Sequence, residues 1–218
     1  SIFSGQDLPS NRRISTNAPL LLQEETGRDQ IPEPFTLIIL VDDLTSPSPL
    51  LEGVWLTTPG ESASARLFFP VFPSQAEDGV ERDLNLRGAF WFEENTQPSQ
   101  QFLTILGDRN LSWGQLLVLD FSVLNEIGLI IQEINPNYVP LNSIGLAGLS
   151  YSVENRLGVQ NNQALFIREI CDQLPLPGQN ELMQHFLEGF SSHLGVIGTT
   201  PLIFYQNWQY TNYCSFPT

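Results

Sequence analysis

Two adjacent carboxylates, Asp42 and Asp43, are the side chains of this sequence whose position best suits chemistry. They follow the apolar run FTLIILV (residues 35–41), which is typical of a strand buried on both faces of an α/β sheet. Ligands usually bind at the edge where such strands end, and carboxylates there can bind a divalent metal or polarise a substrate. The same two residues could instead start a loop, because Asp is a favoured turn residue.

The motifs of several common enzyme classes are absent from the sequence. Lysine does not occur among the nine basic residues, which excludes a Walker-type lysine and a Schiff-base lysine. No G-x-S-x-G motif is present, and the two histidines, His185 and His193, lie in one predicted helix, which does not suit a hydrolase triad. The segment GLAG (residues 145–148) is too short for a dinucleotide-binding fingerprint.

The charge balance restricts the partners of the protein. Its 218 residues carry a formal net charge of −15, and its nine arginines are spread thinly along the chain. Nucleic acid and anionic membrane surfaces are poor partners, because no basic stripe is available to neutralise phosphates. No apolar run reaches the ~18 residues that a bilayer-spanning helix needs, so we predict no transmembrane segment.

Hydrophobic patterning predicts an α/β domain with a central mixed β-sheet of about five or more strands flanked by helices. We expect residues 1–34, rich in Pro, Ser, Asn and Gln, to form an extended N-terminal arm or tether. Residues 35–218 are expected to form a single α/β domain. The predicted strands are 35–42, 52–58, 66–72, 115–121 and 200–205, and the predicted helices are 99–106, 122–134, 160–174 and 180–193.

Local signals add detail to these elements. The second and third predicted strands are joined by a Pro-Gly turn signal, which predicts a hairpin within a meander. Pro70 suggests that the third strand lies at an edge of the sheet or ends there. Residues 73–80 are expected to form a polar connection, and residues 85–92 a short helix or an irregular stretch. Ser122 is predicted to cap the helix that follows the fourth strand.

The two cysteines, Cys171 and Cys214, leave two interpretations open. Their spacing matches no zinc motif. In an exported protein they would form a disulfide that joins the C-terminal residues to a helix. In a reducing compartment they would be two buried free thiols.

The order of these segments resembles the LytR-CpsA-Psr family of bacterial cell-envelope phosphotransferases. In that family an apolar strand ends in an aspartate, as FTLIILVDD does here, and strands similar to EGVWLTT and RLFFPVFPS follow. A later strand enters a helix through an aspartate-phenylalanine junction, here LLVLDFSVLNEIGLII. A turn bearing arginine and glutamine opens a further helix, here ENRLGVQNNQALFIREIC. The resemblance covers residues 35–174 and implies the family's fold and a place in the cell envelope.

The resemblance also implies a site at the end of the first strand. Asp42 or Asp43 would be its catalytic acid. The implied ligand-binding residues are Arg82, Arg87, Arg156 and Gln160. Guanidinium groups suit a pyrophosphate because they form paired, charge-assisted hydrogen bonds with its oxygens. The simpler interpretation for each arginine is a solvated surface residue.

Three of the family's motifs are altered in this chain. Leu50-Leu51-Glu52-Gly53 stands where the family has an Arg-Ser-Asp-type motif, and Phe72-Pro73-Ser74 stands where it has Pro-Arg-Asp. Val159 replaces the second arginine of the late helix. Each charge-assisted phosphate contact is worth about 1.5–3 kcal/mol, so the loss of two or more predicts that catalysis is lost.

The leading hypothesis is an exported, catalytically inactive LytR-CpsA-Psr-like domain, held by an N-terminal anchor that precedes this sequence. It would bind an envelope glycan, a polyprenyl lipid or a protein, with no cofactor and no metal. One alternative is an active phosphotransferase that uses magnesium to move a glycopolymer from a polyprenyl-pyrophosphate carrier. Another is a structural interaction module without a small-molecule site. The four tryptophans have two interpretations: they line the binding groove, or they fill the core. They are Trp55, Trp91, Trp113 and Trp208.

Overall fold

A computed structural model describes most of the chain from Phe35 onward. The described residues are 35–60, 65–74, 79–93, 97–139, 153–173, 194–197 and 213–216. All of them lie within one compact unit, Glu33–Thr218. The expected arm (1–34), the expected helix 180–193 and the expected strand 200–205 lie outside the described residues, so these expectations stay predictions.

Six described strands form one mixed sheet. They are β1 Thr36–Val41, β2 Leu51–Pro59, β3 Ala65–Phe72, β4 Gln115–Asp120, β5 Leu194–Ile197 and β6 Tyr213–Ser215. Their spatial order is β5-β4-β1-β2-β3-β6. The central strand β1 pairs in parallel with β4 and antiparallel with β2, and β2 pairs antiparallel with β3. This arrangement confirms the predicted mixed sheet and the predicted meander of the first three strands.

Both faces of the sheet are covered by helices, as the apolar sequence of β1 requires. The described helices are α1 Gly79–Gly88, α2 Gln100–Asp108, α3 Phe121–Ile134 and α4 Val153–Gln173. Leu37 and Ile39 of β1 pack in one apolar cluster with residues of α1 and α2. Ile38 and Leu40 pack in a second cluster with residues of α3 and α4. Side chains of a strand alternate between faces, so β1 separates two helical layers, and every residue of β1 is buried.

Within the described parts of the chain, no helix is long and apolar enough to cross a bilayer.

Two helices begin earlier in the chain than the sequence pattern predicts. α1 starts at Gly79, inside the expected polar connection, and α4 starts at Val153 rather than at Gln160. The reason is the same in both cases, since polar side chains occupy buried positions of these helices. Asp83 in α1 and Arg156 in α4 are both buried, so the apolar periodicity that marks a helix face is interrupted.

The cap of α3 is Asp120 and not Ser122, which corrects the sequence prediction. Asp120 Oδ1 accepts a hydrogen bond from the Val123 backbone N–H at 3.1 Å, and helix α3 begins at Phe121. Asp120 Oδ2 accepts a second bond from the Leu44 N–H at 3.2 Å. One buried carboxylate therefore caps α3 and also holds the loop that follows β1.

The cysteine pair joins α4 to the short strand β6. Cys171 and Cys214 have Cα atoms 6.1 Å apart, which is disulfide distance, and both residues are buried. β6 pairs in parallel with residues 65–67 of β3, so this part of β3 is not at an edge of the sheet. Pro70 lies beyond the paired residues, where its missing N–H breaks no bond to β6.

Replacing the observed cap should cost more stability than replacing the predicted one. We expect Asp120→Ala to lower the free energy of unfolding by about 1–2 kcal/mol, because α3 loses its cap and Leu44 loses a partner. Ser122→Ala is the matched control and should change stability by less than about 0.5 kcal/mol, since Ser122 is exposed. Urea denaturation measures both, and an equal loss in the two variants would contradict this assignment.

Candidate functional site

The topology brings four polar positions to one edge of the sheet. β1 and β4 are parallel, so Asp42, just after β1, and Asp120, at the end of β4, lie at the same edge. β2 is antiparallel to β1, which places Glu52 at this edge near the start of β2. β3 reverses direction again, so Ser74, which follows it, also lies here. This polar edge is where the sequence predicts the functional site.

The two aspartates after β1 stabilise the loop that follows them. Asp42 Oδ1 accepts hydrogen bonds from the Leu50 N–H at 2.6 Å and from the Asp43 N–H at 2.8 Å. The Asp42 N–H donates to the Leu50 carbonyl oxygen at 3.2 Å, which closes the loop. Asp43 is exposed, and its Oδ1 accepts from the N–H of Thr45 at 2.7 Å and from its hydroxyl at 2.6 Å. These are the bonds of turn-forming aspartates, and a catalytic role for either residue stays a prediction.

Arg156 forms a buried ion pair with Asp83 at this edge. Arg156 Nη1 lies 3.2 Å from Asp83 Oδ2, and the side chains are 2% and 1% exposed. The same oxygen accepts a hydrogen bond from the Ser74 N–H at 2.8 Å. The contact connects α4 on one face of the sheet with α1 on the other. Gly79 allows this approach, because a Cβ at that position would lie 3.0 Å from Arg156 Nη1 and 2.6 Å from Ser74 Oγ.

Arg87 forms a second ion pair, with Glu52. Arg87 Nη2 lies 3.0 Å from Glu52 Oε1, and the two side chains are 16% and 2% exposed. The backbone oxygen of Glu52 accepts a hydrogen bond from Gln163 Nε2 at 3.0 Å. Gln163 Oε1 in turn accepts from Trp55 Nε1 at 2.9 Å. Gly53 makes room for this amide, since a Cβ there would lie 2.8 Å from Gln163 Oε1.

Three polar residues of α4 face the polar edge together. Arg156, Gln160 and Gln163 are spaced four and three residues apart, so they lie on one face of the helix, and all three are buried. Gln160 Nε2 donates to the Pro73 carbonyl oxygen at 3.0 Å. The structure thus brings together three of the four predicted ligand-binding residues, Arg87 included. It adds Glu52, Asp83 and Gln163, which were not predicted from the sequence. The helical spacing of Gln163 relative to Arg156 and Gln160 is the signal that could have identified it.

The fourth predicted residue, Arg82, lies elsewhere. It is exposed on α1, and its backbone oxygen accepts a hydrogen bond from Arg109 Nη2 at 3.2 Å. Arg109 is the C-terminal cap of α2. Burial lowers the pKa of Arg109 from its ordinary value, the nearby charge of Asp83 raises it, and the cation of Arg82 lowers it further. The two arginines therefore share a groove between α1 and α2, away from the polar edge.

Comparison with known proteins gives structural relatives but no sequence family. No protein-family model and no curated protein matches the chain. Protein gbs0355 from Streptococcus agalactiae superposes with a TM-score of 0.57 at 11% identity, covering 84% of this chain and 76% of that one. The transcriptional regulator EF0465 from Enterococcus faecalis gives 0.53 at 9% identity over 85% and 75% of the two chains. The structure of TagT bound to LIIa-WTA gives 0.50 at 7% identity over 86% and 78%.

TagT is a protein of the LytR-CpsA-Psr family. The chain has a LytR-CpsA-Psr-like fold. This confirms the resemblance that the order of the sequence segments predicts. At identities near one residue in ten the likeness establishes the fold alone, so the chemistry of the site must be judged from its own residues.

On this LytR-CpsA-Psr-like fold, two acids of the polar edge are engaged by the backbone. The Asp120 carboxylate accepts hydrogen bonds from the N–H groups of Val123 and Leu44, and the Asp42 carboxylate accepts one from the N–H of Leu50. In the described part of the chain, no three or more His, Cys, Asp or Glu residues form a group that could hold a metal.

The tryptophans divide between core and surface. Trp55 is 1% exposed and packs in the apolar cluster beneath α3 and α4, edge-on to Phe216. Trp113 is half-buried and Trp91 is 41% exposed. Trp208 lies outside the described residues. Trp55 is thus a core residue of the LytR-CpsA-Psr-like fold.

Breaking the buried ion pair should destabilise the domain strongly. We expect Arg156→Met to lower the free energy of unfolding by about 3–5 kcal/mol, because Asp83 would remain as a buried, uncompensated charge. Adding Asp83→Asn to this variant should restore part of the loss, since the amide is neutral and still accepts from the Ser74 N–H.

Arg168→Met is the control on the same helix. Arg168 is exposed and lies 5.4 Å from the centre of the Phe216 ring, so its replacement should cost about 1 kcal/mol or less. Urea denaturation of all four proteins provides the comparison. Similar losses of unfolding free energy in Arg156→Met and Arg168→Met would contradict the stabilising role of the ion pair. No recovery of stability in the double variant would contradict it as well.

Proposed function

We propose that this protein is a cell-envelope domain that binds a glycan or a lipid-linked glycan and does not catalyse phosphoryl transfer. One observation carries the proposal. The two arginines at the polar edge, Arg87 and Arg156, each form an ion pair with an acid of the chain itself. The carboxylate of Asp42 is likewise engaged by its own loop. The groups that would handle a pyrophosphate therefore serve the fold.

The magnitudes of the competing interactions favour this interpretation. Arg156 is 2% exposed, and a phosphate that took its guanidinium from Asp83 would leave an unpaired buried carboxylate, which costs about 3–5 kcal/mol. A charge-assisted hydrogen bond to the phosphate returns about 1.5–3 kcal/mol. Displacement of Asp83 by a pyrophosphate would therefore be unfavourable or neutral. Among the described residues, the Asp42 carboxylate accepts hydrogen bonds from backbone N–H groups of its own loop and forms no ion pair with an arginine.

Two further observations support a place in the cell envelope. TagT has the same fold, and its solved structure is bound to LIIa-WTA. By analogy, we propose that the ligand here is a glycan or a lipid-linked glycan. The buried cysteine pair lies at disulfide distance, and disulfides persist in oxidising compartments outside the cytoplasm. We also propose that an N-terminal segment ahead of this sequence anchors the domain. The net charge of −15 argues against nucleic acid as a partner.

The test is to incubate the protein with a polyprenyl-pyrophosphate-linked saccharide, with and without Mg²⁺. Native mass spectrometry would detect saccharide retained by the protein, and denaturing mass spectrometry would detect any released polyprenyl phosphate. We expect retained saccharide, no release, and no dependence on Mg²⁺. Asp42→Asn is the matched variant and should retain as much saccharide as the natural protein, because Asp42 belongs to the loop.

Two other outcomes of this experiment would each favour one of the alternative functions. Release of polyprenyl phosphate that requires both Mg²⁺ and Asp42 would contradict the proposal and establish an active phosphotransferase. If the protein retains no saccharide and releases no polyprenyl phosphate, the remaining interpretation is a structural interaction module without a small-molecule site.

A further inference from the structure

The turn between α2 and β4 contains the tripeptide Asn110-Leu111-Ser112. It is the single Asn-x-Ser/Thr tripeptide of the sequence, and such tripeptides are the acceptors of N-linked glycosylation in exported proteins. Asp108 precedes Asn110 by two residues, and an acid at that place belongs to the acceptor sequence that bacterial oligosaccharyltransferases favour. Because so short a sequence also arises by chance, its surroundings in the fold must decide whether it can be used.

Main-chain bonds determine the shape of this turn. Arg109 is the C-terminal cap of α2, and the N–H groups of the next two residues donate back to the helix. The Asn110 N–H bonds to the Gly107 carbonyl oxygen at 2.9 Å, and the Leu111 N–H bonds to the Leu106 carbonyl oxygen at 3.3 Å. These are the two bonds of a Schellman motif, and Asn110 has the left-handed φ of 59° that this motif requires after the cap. Leu111 packs against the apolar cluster that contains Leu106.

The Asn110 amide and the Ser112 hydroxyl take no part in this turn. Both residues are exposed, and within the described ranges neither side chain forms a hydrogen bond. A saccharide on Asn110 Nδ2 would therefore leave every bond of the turn in place. The left-handed backbone accounts for an asparagine or a glycine at position 110, but it gives the Ser112 hydroxyl no role. Recognition by a transferase is a role that fits both side chains together.

The turn lies at the end of the sheet away from the polar edge. β4 begins at Gln115, just after the turn, and ends at Asp120 on the polar edge. The Gly114 N–H donates to the Phe35 carbonyl oxygen at 2.9 Å, so the turn lies beside the start of β1. A strand of this length spans about 20 Å. A saccharide attached to Asn110 would thus leave the polar edge uncovered.

We propose that Asn110 is a site of N-linked glycosylation. The donor is an oligosaccharide on a polyprenyl pyrophosphate, and the catalyst is a membrane oligosaccharyltransferase. Asn110 Nδ2 forms a bond to the anomeric carbon of the saccharide as the bond from that carbon to the pyrophosphate oxygen breaks. The pyrophosphate leaves with the bonding electron pair, and Nδ2 gives one proton to a base of the transferase. Only exported protein meets this enzyme, so the inference rests on the cell-envelope location proposed above.

The test is the intact mass of the protein purified from the cells that naturally produce it, with peptide fragmentation to locate any added group. We expect the mass of the chain plus a saccharide on Asn110. Asn110→Gly, made in the same cells, should lose the added mass and keep the turn, because glycine adopts a left-handed φ most readily. Ser112→Ala should also lose it, and Ser112→Thr should keep it. Asn85→Ala is the control, since Asn85 is exposed on α1 and lies outside any such tripeptide.

An unmodified mass would overturn the inference, and so would a saccharide that persists in Asn110→Gly. A saccharide lost from Ser112→Ala alone would be attached to the serine hydroxyl. The change of mass on reduction separates this failure from failure of the proposed location. Unmodified protein that gains two hydrogens on reduction has formed its disulfide in an oxidising compartment, which would refute the Asn110 site alone. Unmodified protein with free thiols would contradict the cell-envelope location as well.

Discussion

The buried contact between Arg156 and Asp83 is the interaction on which the arrangement of the polar edge depends. It connects α4 and α1, which cover opposite faces of the sheet, and it recruits the Ser74 N–H that follows β3. Two charges removed from water are stable only when they are paired and hydrogen-bonded. The glycine at position 79 is required for the same reason, since a side chain there would push into the pair. The pair thus determines how closely the two helical layers approach around the sheet edge.

The central strand and its neighbours were predictable from the sequence because the apolar pattern of each strand lies within a few consecutive residues. An uninterrupted apolar run must be covered on both faces, so FTLIILV predicted the middle of the sheet, and its residues are all buried. The order of the remaining strands and helices was sufficient to predict the LytR-CpsA-Psr-like fold. The starts of α1 and α4 were not predictable in this way, because buried Asp83 and Arg156 look like surface residues to any rule based on hydrophobicity.

The composition of the site was only partly predictable, because its contacts join distant parts of the chain. Arg87 and Glu52 are 35 residues apart, and Arg156 and Asp83 are 73 apart. Sequence reasoning named the arginines as phosphate ligands but had no means of finding the acids that pair with them. The capping of α3 shows the same limit, since Asp120 and Ser122 are both good caps and only the geometry decides between them. Arg82 and Arg109, 27 residues apart, were likewise brought together only by the packing of two helices.

At the polar edge Arg87 and Arg156 form ion pairs with acids of the chain itself, and the proposed function assigns both arginines to the fold and not to a ligand. The most direct measurement of that claim is NMR of the arginine side chains during a titration with pyrophosphate. If Arg87 and Arg156 are held by Glu52 and Asp83, their guanidinium signals will be resolved, protected from solvent exchange, and unmoved by pyrophosphate. Saturable shifts of both signals on addition of pyrophosphate would contradict the account.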